Sequence, residues 1–226
     1  WLWTFVGNEF TVFRHRENRK RTLLEKLLGS DFAGIVGSDR YIAYQYFKDE
    51  NRQACWAHLK RDFERWKIRG GEPERIADLL LGQVSKMFEL WHRVRDGTLT
   101  RAVFENRMSA VRAEVQHFLT LGLHCGHKKT MGTSKELLDH FESLWTFARV
   151  EGVEPTNNSA ERALRNAVIY RKRCFGVDSS RGARFVERLL SVVQSAKQQK
   201  RKILDLVEEA LQCLFSNEPA PSLLPA

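Results

Sequence analysis

A change of hydrophobic period near residue 71 constrains this chain more than any other feature. Beyond it Ile76, Leu80, Val84, Met87, Trp91 and Val94 recur at spacings of four and three, as do Phe104, Met108, Val111, Val115 and Phe118. That rhythm belongs to helices burying one face, so two amphipathic helices of about five turns are expected to pack as a hairpin. A third is expected to open at Thr133, where Glu136 completes a capping box, and to bury Leu137, Phe141, Leu144 and Trp145. On this reading Trp91 and Trp145 are core residues.

Before residue 71 the pattern is mixed. WLWTFV and FTVF flank a Gly7-Asn8-Glu9 break and read as a β-hairpin. TLLEKLLG is a short helix stopped by Gly29, and FAGIVGSD is a brief strand ending at Asp39. YIAYQYF is expected to be a short helix, RQACWAH a short strand, and LKRDFERWK a helix ending at Gly70-Gly71. The order is that of an α/β core, 1–71, interrupted by a helical insertion, 72–150, and completed over 151–215 before a tail, 216–226. From Asn158 the chain is helical again, breaks around CFGVDSSRG, and ends in helices near 182–199 and 201–215.

Charge is concentrated in that last part. Between Arg162 and Lys202 there are 12 Lys or Arg against Asp178 and Glu187, a surplus of ten in a chain whose net charge is +9. Such a field attracts polyanions and points to nucleic acid, the alternative being a solvated basic helix face. No apolar run approaches the roughly 18 residues of a membrane span, and the start lacks a secretory leader, so a soluble intracellular protein is expected. The four cysteines include no CxxC pair, and indicate neither a disulfide framework nor a zinc ribbon. Cys55 and His58 could join His124, Cys125 and His127 in a zinc site, but a buried strand whose His58 opens the next helix is the stronger reading.

The stretch EPTNNSAERALR seats Glu161 three residues after Asn158, as in a capping box. A cap does not explain Arg162 and Arg165, which add positive charge where the helix dipole disfavours it unless an anion is near. A carboxylate at a strand end, Asp39, and another in the first turn of a helix, Glu161, can share divalent cations acting on a phosphodiester. The other reading makes each a cap or a solvated surface acid.

VGSDRYIAY (36–44), CWAHLKRDF (55–63) and EPTNNSAERALRNAVIYRKRCFGVDSSRGARF (154–185) together resemble bacterial DDE transposases of the IS66 insertion-sequence family, in the right order and over nearly the whole chain. The resemblance implies a ribonuclease-H-like core, a mixed sheet flanked by helices, with three metal-binding acids on separate elements and a helical insertion between the second and third. Asp39 in GSDRY corresponds to the second acid and Glu161 in NNSAER to the third, 122 residues later (161 − 39). Implied with them are Mg²⁺ or Mn²⁺ in a two-metal site, and cleavage and strand transfer of double-stranded DNA at the transposon ends and target. A bacterial cytoplasmic, nucleoid-associated location and accessory proteins of the same mobile element also belong to the picture. His58, Asn157 and Asn158 would support the metal site. Arg61, Arg162, Arg165, Arg171, Lys172, Arg173, Arg181 and Arg184 would contact DNA.

No residue corresponds to the family's first acid, since Glu9 falls at the hairpin turn and Asp31 precedes the Asp39 strand. The expectation is therefore a C-terminal piece of the catalytic region, inactive in strand transfer alone, with an exposed sheet edge open to homodimerisation. The alternative is a non-catalytic DNA-binding module or transposase remnant.

Overall fold

The computed structural model describes residues 1–29 and 32–224; Asp31 lies outside them. In chain order it has strands β1 (Leu2–Val6) and β2 (Thr11–His15), helix α1 (Thr22–Leu28), strand β3 (Val36–Ser38), a 3-10 turn Ile42–Tyr46 and strand β4 (Arg52–Ala54). Helices follow: α2 (Trp56–Lys67), α3 (Gly71–Arg95), α4 (Arg101–Gly122), α5 (Lys128–Asp139) and the single turn α6 (Thr146–Arg149). The last are α7 (Asn158–Cys174), α8 (Ser180–Gln198) and α9 (Ile203–Phe215). The fold is mostly helical, with the strands in two two-stranded sheets, β1–β2 antiparallel and β3–β4 parallel. Among the described residues no helix is long and apolar enough to cross a membrane. Contacts divide the chain into two compact units, Arg21–Asn157 and the pair of segments Trp1–Lys20 with Asn158–Ala226.

The 21–157 unit holds the larger core. Ile76, Leu80, Val84 and Met87 of α3 and Phe104, Met108, Val111 and Val115 of α4 are buried together, as their spacing requires. α3 and α4 run longer than expected, 25 and 22 residues. Trp56, Leu59, Phe63 and Trp66 give α2 a buried face, and Trp56 meets Trp145 edge-on at 5.0 Å. α4 and α5 touch at Gly122, where a Cβ would stand 2.1 Å from Ser134 Oγ.

Two boundaries differ from the sequence reading. α5 begins at Lys128 rather than Thr133, because His127 caps it by accepting the Thr130 N–H on Nδ1 at 3.3 Å. Glu136 instead pairs with Arg40 at 2.8 Å. RQACWAH is strand only over β4, which is wholly buried, and Trp56 is already helical. β4 docks through polar bonds: Gln53 Nε2 donates to Leu144 O at 3.1 Å and Gln53 Oε1 accepts the Phe147 N–H at 2.7 Å. Arg52 is buried, and burial pushes its pKa down against the opposing pull of Asp49 and Glu136.

In the other unit α8 seals the outer edge of β2. The N–H groups of His15, Phe13 and Thr11 donate to Glu187 Oε2 (2.7 Å), Ser191 Oγ (2.9 Å) and Ser195 Oγ (3.0 Å). The match is metrical. Four helical residues advance about 6.0 Å and two strand residues about 6.8 Å, so every fourth side chain of α8 meets every second residue of β2. Glu187, only 6% exposed, also accepts from Arg14 Nη1 at 2.6 Å. Ala163 and Ala167 of α7 pack against Phe13 on the hairpin.

α7, α8 and α9 are followed by non-glycine residues at positive φ, Phe175 (57°), Lys200 (59°) and Asn217 (55°). This is the left-handed position that glycine or asparagine fills at helix ends, and it costs other residues about 1–2 kcal/mol. A phenylalanine is the least expected of the three.

Candidate functional site

Within the 21–157 unit the carboxyl end of the β3–β4 pair gathers three sequence motifs. Asp39 follows directly on β3, half-buried, and its Oδ1 accepts the Tyr41 N–H at 3.0 Å. This local turn fixes the plane of the carboxylate. Cys55 follows directly on β4 and donates its N–H to Ser38 O at 2.9 Å. The Trp56 N–H, one of those a helix start leaves without an intrahelical acceptor, donates to Pro155 O at 2.9 Å. The Asn157 N–H then reaches Cys55 Sγ at 3.5 Å. GSDRY, CWAH and EPTNN are thus joined through Cys55. Carboxyl ends of parallel strands are where open α/β sheets bind ligands, and the N-terminus of α2 adds partial positive charge there.

The oxygen chemistry of this end suits a hard cation. Asn157 Oδ1 is buried and has no hydrogen-bond partner among the described residues, and amide oxygens, like carboxylates, are donors to Mg²⁺. His58 lies half-buried in the first turn of α2, and Arg61 is exposed nearly one turn on. Arg40, adjacent to Asp39, is committed elsewhere, holding Asp62 of α2 as well as Glu136 of α5. Among the described residues no group of three or more His, Cys, Asp or Glu is gathered to hold a metal ion. The zinc reading of Cys55, His58, His124, Cys125 and His127 therefore has no cluster behind it, and His127 serves as the α5 cap.

In the other unit Glu161 is half-buried in the first turn of α7. The helix starts at Asn158, so Asn157 takes the flanking place expected of Asn158, and Glu161 sits one position deeper than a capping box needs. Arg162, Arg165, Arg171, Lys172 and Arg173 are all exposed, as are Arg181 and Arg184 on α8. At 100° per residue Arg162, Arg165, Lys172 and Arg173 share an arc of about 100° and extend about 16 Å along the axis, with Glu161 at its margin. A stripe of that length matches about five nucleotides of one strand at 3.4 Å each. Missing from the sequence reading is Phe175, whose signal is an aromatic set between three basic residues and a glycine at a helix end, RKRCFG.

The sequence matches the Transposase IS66 family over residues 1–185. It is 24% identical over 249 aligned residues to an uncharacterized protein, y4qI, of Sinorhizobium fredii, in an alignment covering 99% of this chain and 45% of that protein. The chain thus spans a little under half the length of the curated relative it matches. No solved structure matches.

Proposed function

The chain belongs to the IS66 transposase family, and from that membership we propose that it forms part of a DDE-type catalytic region acting on the phosphodiesters of transposon ends and target DNA. In this reading β1–β2 and β3–β4 are parts of one ribonuclease-H-like core, and the helices within 72–150 are an insertion between two catalytic acids. Asp39 and Glu161 hold Mg²⁺ or Mn²⁺, with Asn157 contributing an amide oxygen or orienting Glu161. The observation that carries the proposal is Asp39, fixed by its own turn at the carboxyl end of a parallel strand pair, with the segment leading into NNSAER bonded beside it through Cys55. Glu161 follows Asn157 by four residues, at most about 14 Å of chain.

A bound divalent cation supplies charge neutralisation on the scissile phosphate and a lowered pKa for coordinated water. The residues of the chain have simpler tasks. Asp39 presents a carboxylate whose plane its turn has already set, and the α7 arginines hold the flanking phosphates. With no residue matching the family's first acid, strand transfer by this chain alone is expected to be negligible, and the active assembly needs a further carboxylate.

Mn²⁺ binding followed by electron paramagnetic resonance tests the site without requiring turnover. Wild type should bind Mn²⁺ in competition with Mg²⁺, and Asp39→Asn and Glu161→Gln should each weaken binding at least about tenfold, as expected on loss of an anionic ligand. Equal affinity in all three proteins would remove both acids from the metal site. The exposed cationic stripe of α7 favours a second reading, a DNA-binding module without catalysis, in which DNA affinity is indifferent to Mg²⁺ and to Glu161→Gln.

A further inference from the structure

Phe175 is the most exposed large apolar side chain among the described residues, at 97%, and it occupies a backbone conformation that glycine would take without strain. Packing does not explain it, since the ring buries almost nothing. Helix termination does not either, because glycine at that position would end α7 better. A residue unfavourable to the backbone and unused by the core has its reason outside the fold.

Beside it, within the same unit, lies a cavity of about 440 Å³, inside the roughly 300–1,000 Å³ of small-ligand sites. Trp1, Leu164, Val168 and Val177 give it apolar walls, Tyr170 and Arg171 supply polar groups, and Phe175 is part of its lining. Among the described residues none of the lining side chains is acidic. Arg171, Lys172 and Arg173 immediately precede the loop and are exposed. An apolar recess with an aromatic beside it and cations around it complements a flat ring carried on an anionic backbone. A second copy of this chain is a poor occupant, because it would bring the same three cations against their counterparts.

We propose that Phe175 and this cavity receive one unpaired nucleobase of bound DNA, the base stacking on the Phe175 ring while Arg171, Lys172 and Arg173 hold the flanking phosphates. The proposal rests on the DNA-binding reading and adds to it a preference for a strand with a base out of the stack.

The test uses the full chain with two DNAs, a paired duplex and the same duplex carrying one unpaired thymine, measured by fluorescence anisotropy. Wild type should prefer the unpaired base. Phe175→Gly should cut affinity for that DNA roughly 5- to 150-fold, the worth of one base–aromatic stack, while leaving the paired duplex unchanged. Phe175→Trp should retain the preference. The glycine variant should melt no lower than wild type, since it relieves the left-handed strain, so its loss of binding is not a loss of fold. With 2-aminopurine as the unpaired base, wild type should change the emission on binding and Phe175→Gly should not. An unaltered preference in Phe175→Gly, or none in wild type, overturns the inference while salt-dependent duplex binding preserves the DNA reading. Absence of binding to either DNA overturns both. A change in oligomeric mass in Phe175→Gly, with DNA preference intact, reassigns the ring to a protein contact.

Discussion

Replacing Arg162, Arg165, Lys172 and Arg173 together by alanine removes the solvent stripe of α7 while leaving its packed face, Ala163 and Ala167, untouched. Binding that neutralises Z phosphates gives a slope of log K against log salt of about −0.9Z. With the seven cations of α7 and α8 assigned to DNA engaged, from Arg162 to Arg184, wild type should show a slope of about −6, a loss of about 6,000-fold in affinity between 50 and 200 mM salt. The quadruple variant keeps three of the seven, so its slope should be about −3 and the same change of salt should cost about 40-fold. Effects on the helix nearly cancel. Lys172 and Arg173 stabilise the carboxyl end of the dipole by about 0.3–1 kcal/mol each, whereas Arg162 opposes the amino end and alanine is the better helix former. Circular dichroism should therefore show an intact protein, and fluorescence anisotropy across a salt series gives the slope. A variant slope within one unit of wild type refutes the assignment of the stripe to the DNA backbone.

Other consequences concern the scaffold. Glu187→Ala should cost about 2–4 kcal/mol in urea unfolding, because it orphans the His15 N–H and a charged hydrogen bond from Arg14, the latter discounted because Arg14 is 40% exposed; Glu187→Gln, which keeps an acceptor, should cost less than half as much, and equal losses would contradict the account. Gly122→Ala forces a Cβ to within 2.1 Å of Ser134 Oγ and should destabilise by about 1–3 kcal/mol, with Ser134→Gly restoring most of it; a neutral Gly122→Ala would show that α4 and α5 are not in close contact. The Asp96 carboxyl is held below its usual pKa by the Thr98 hydroxyl and N–H. Its contribution to stability is thus present above the ordinary carboxylate range and lost as pH falls through the depressed folded pKa. Thermal melts of Asp96→Asn should lack that part of the acid loss, and an identical pH profile would count against it.

The fold is legible in the sequence where information is local and repetitive. Ile76 to Val94 and Phe104 to Phe118 announce their helices because every turn repeats the same apolar choice, and the Gly7-Asn8-Glu9 break identifies the hairpin by its turn. The start of α5 is hidden in the sequence because Thr133 and Glu136 imitate a capping box, while the working cap is the His127 imidazole, which is rare in that role. Cys55 looked like strand because β4 is so short that its cap and the following helix fall within the same apolar run. At the site, the motifs put Asp39 at a strand end, as found. Its neighbours were not legible: Asn157 meets Cys55 across 102 residues, and no local pattern encodes a hydrogen bond to sulfur. Glu187 and the serines at 191 and 195 read as polar positions of a surface helix, and only the opposing strand reveals them as a matched set of acceptors.

That set of acceptors also imposes an order of events on synthesis. The strand they complete is made near the beginning of this segment, and its partner is translated 172 to 184 residues later. At about 5–20 residues per second the interval is roughly 10–40 s, during which all of residues 21–157 leave the ribosome. A lone two-stranded hairpin is marginal in water, so through this interval Thr11, Phe13 and His15 hold their amides open to whatever strand comes first. Folding of this part of the protein must therefore await α8, and a nascent chain stalled before Gln198 carries an open β-edge that α8 covers in the folded protein.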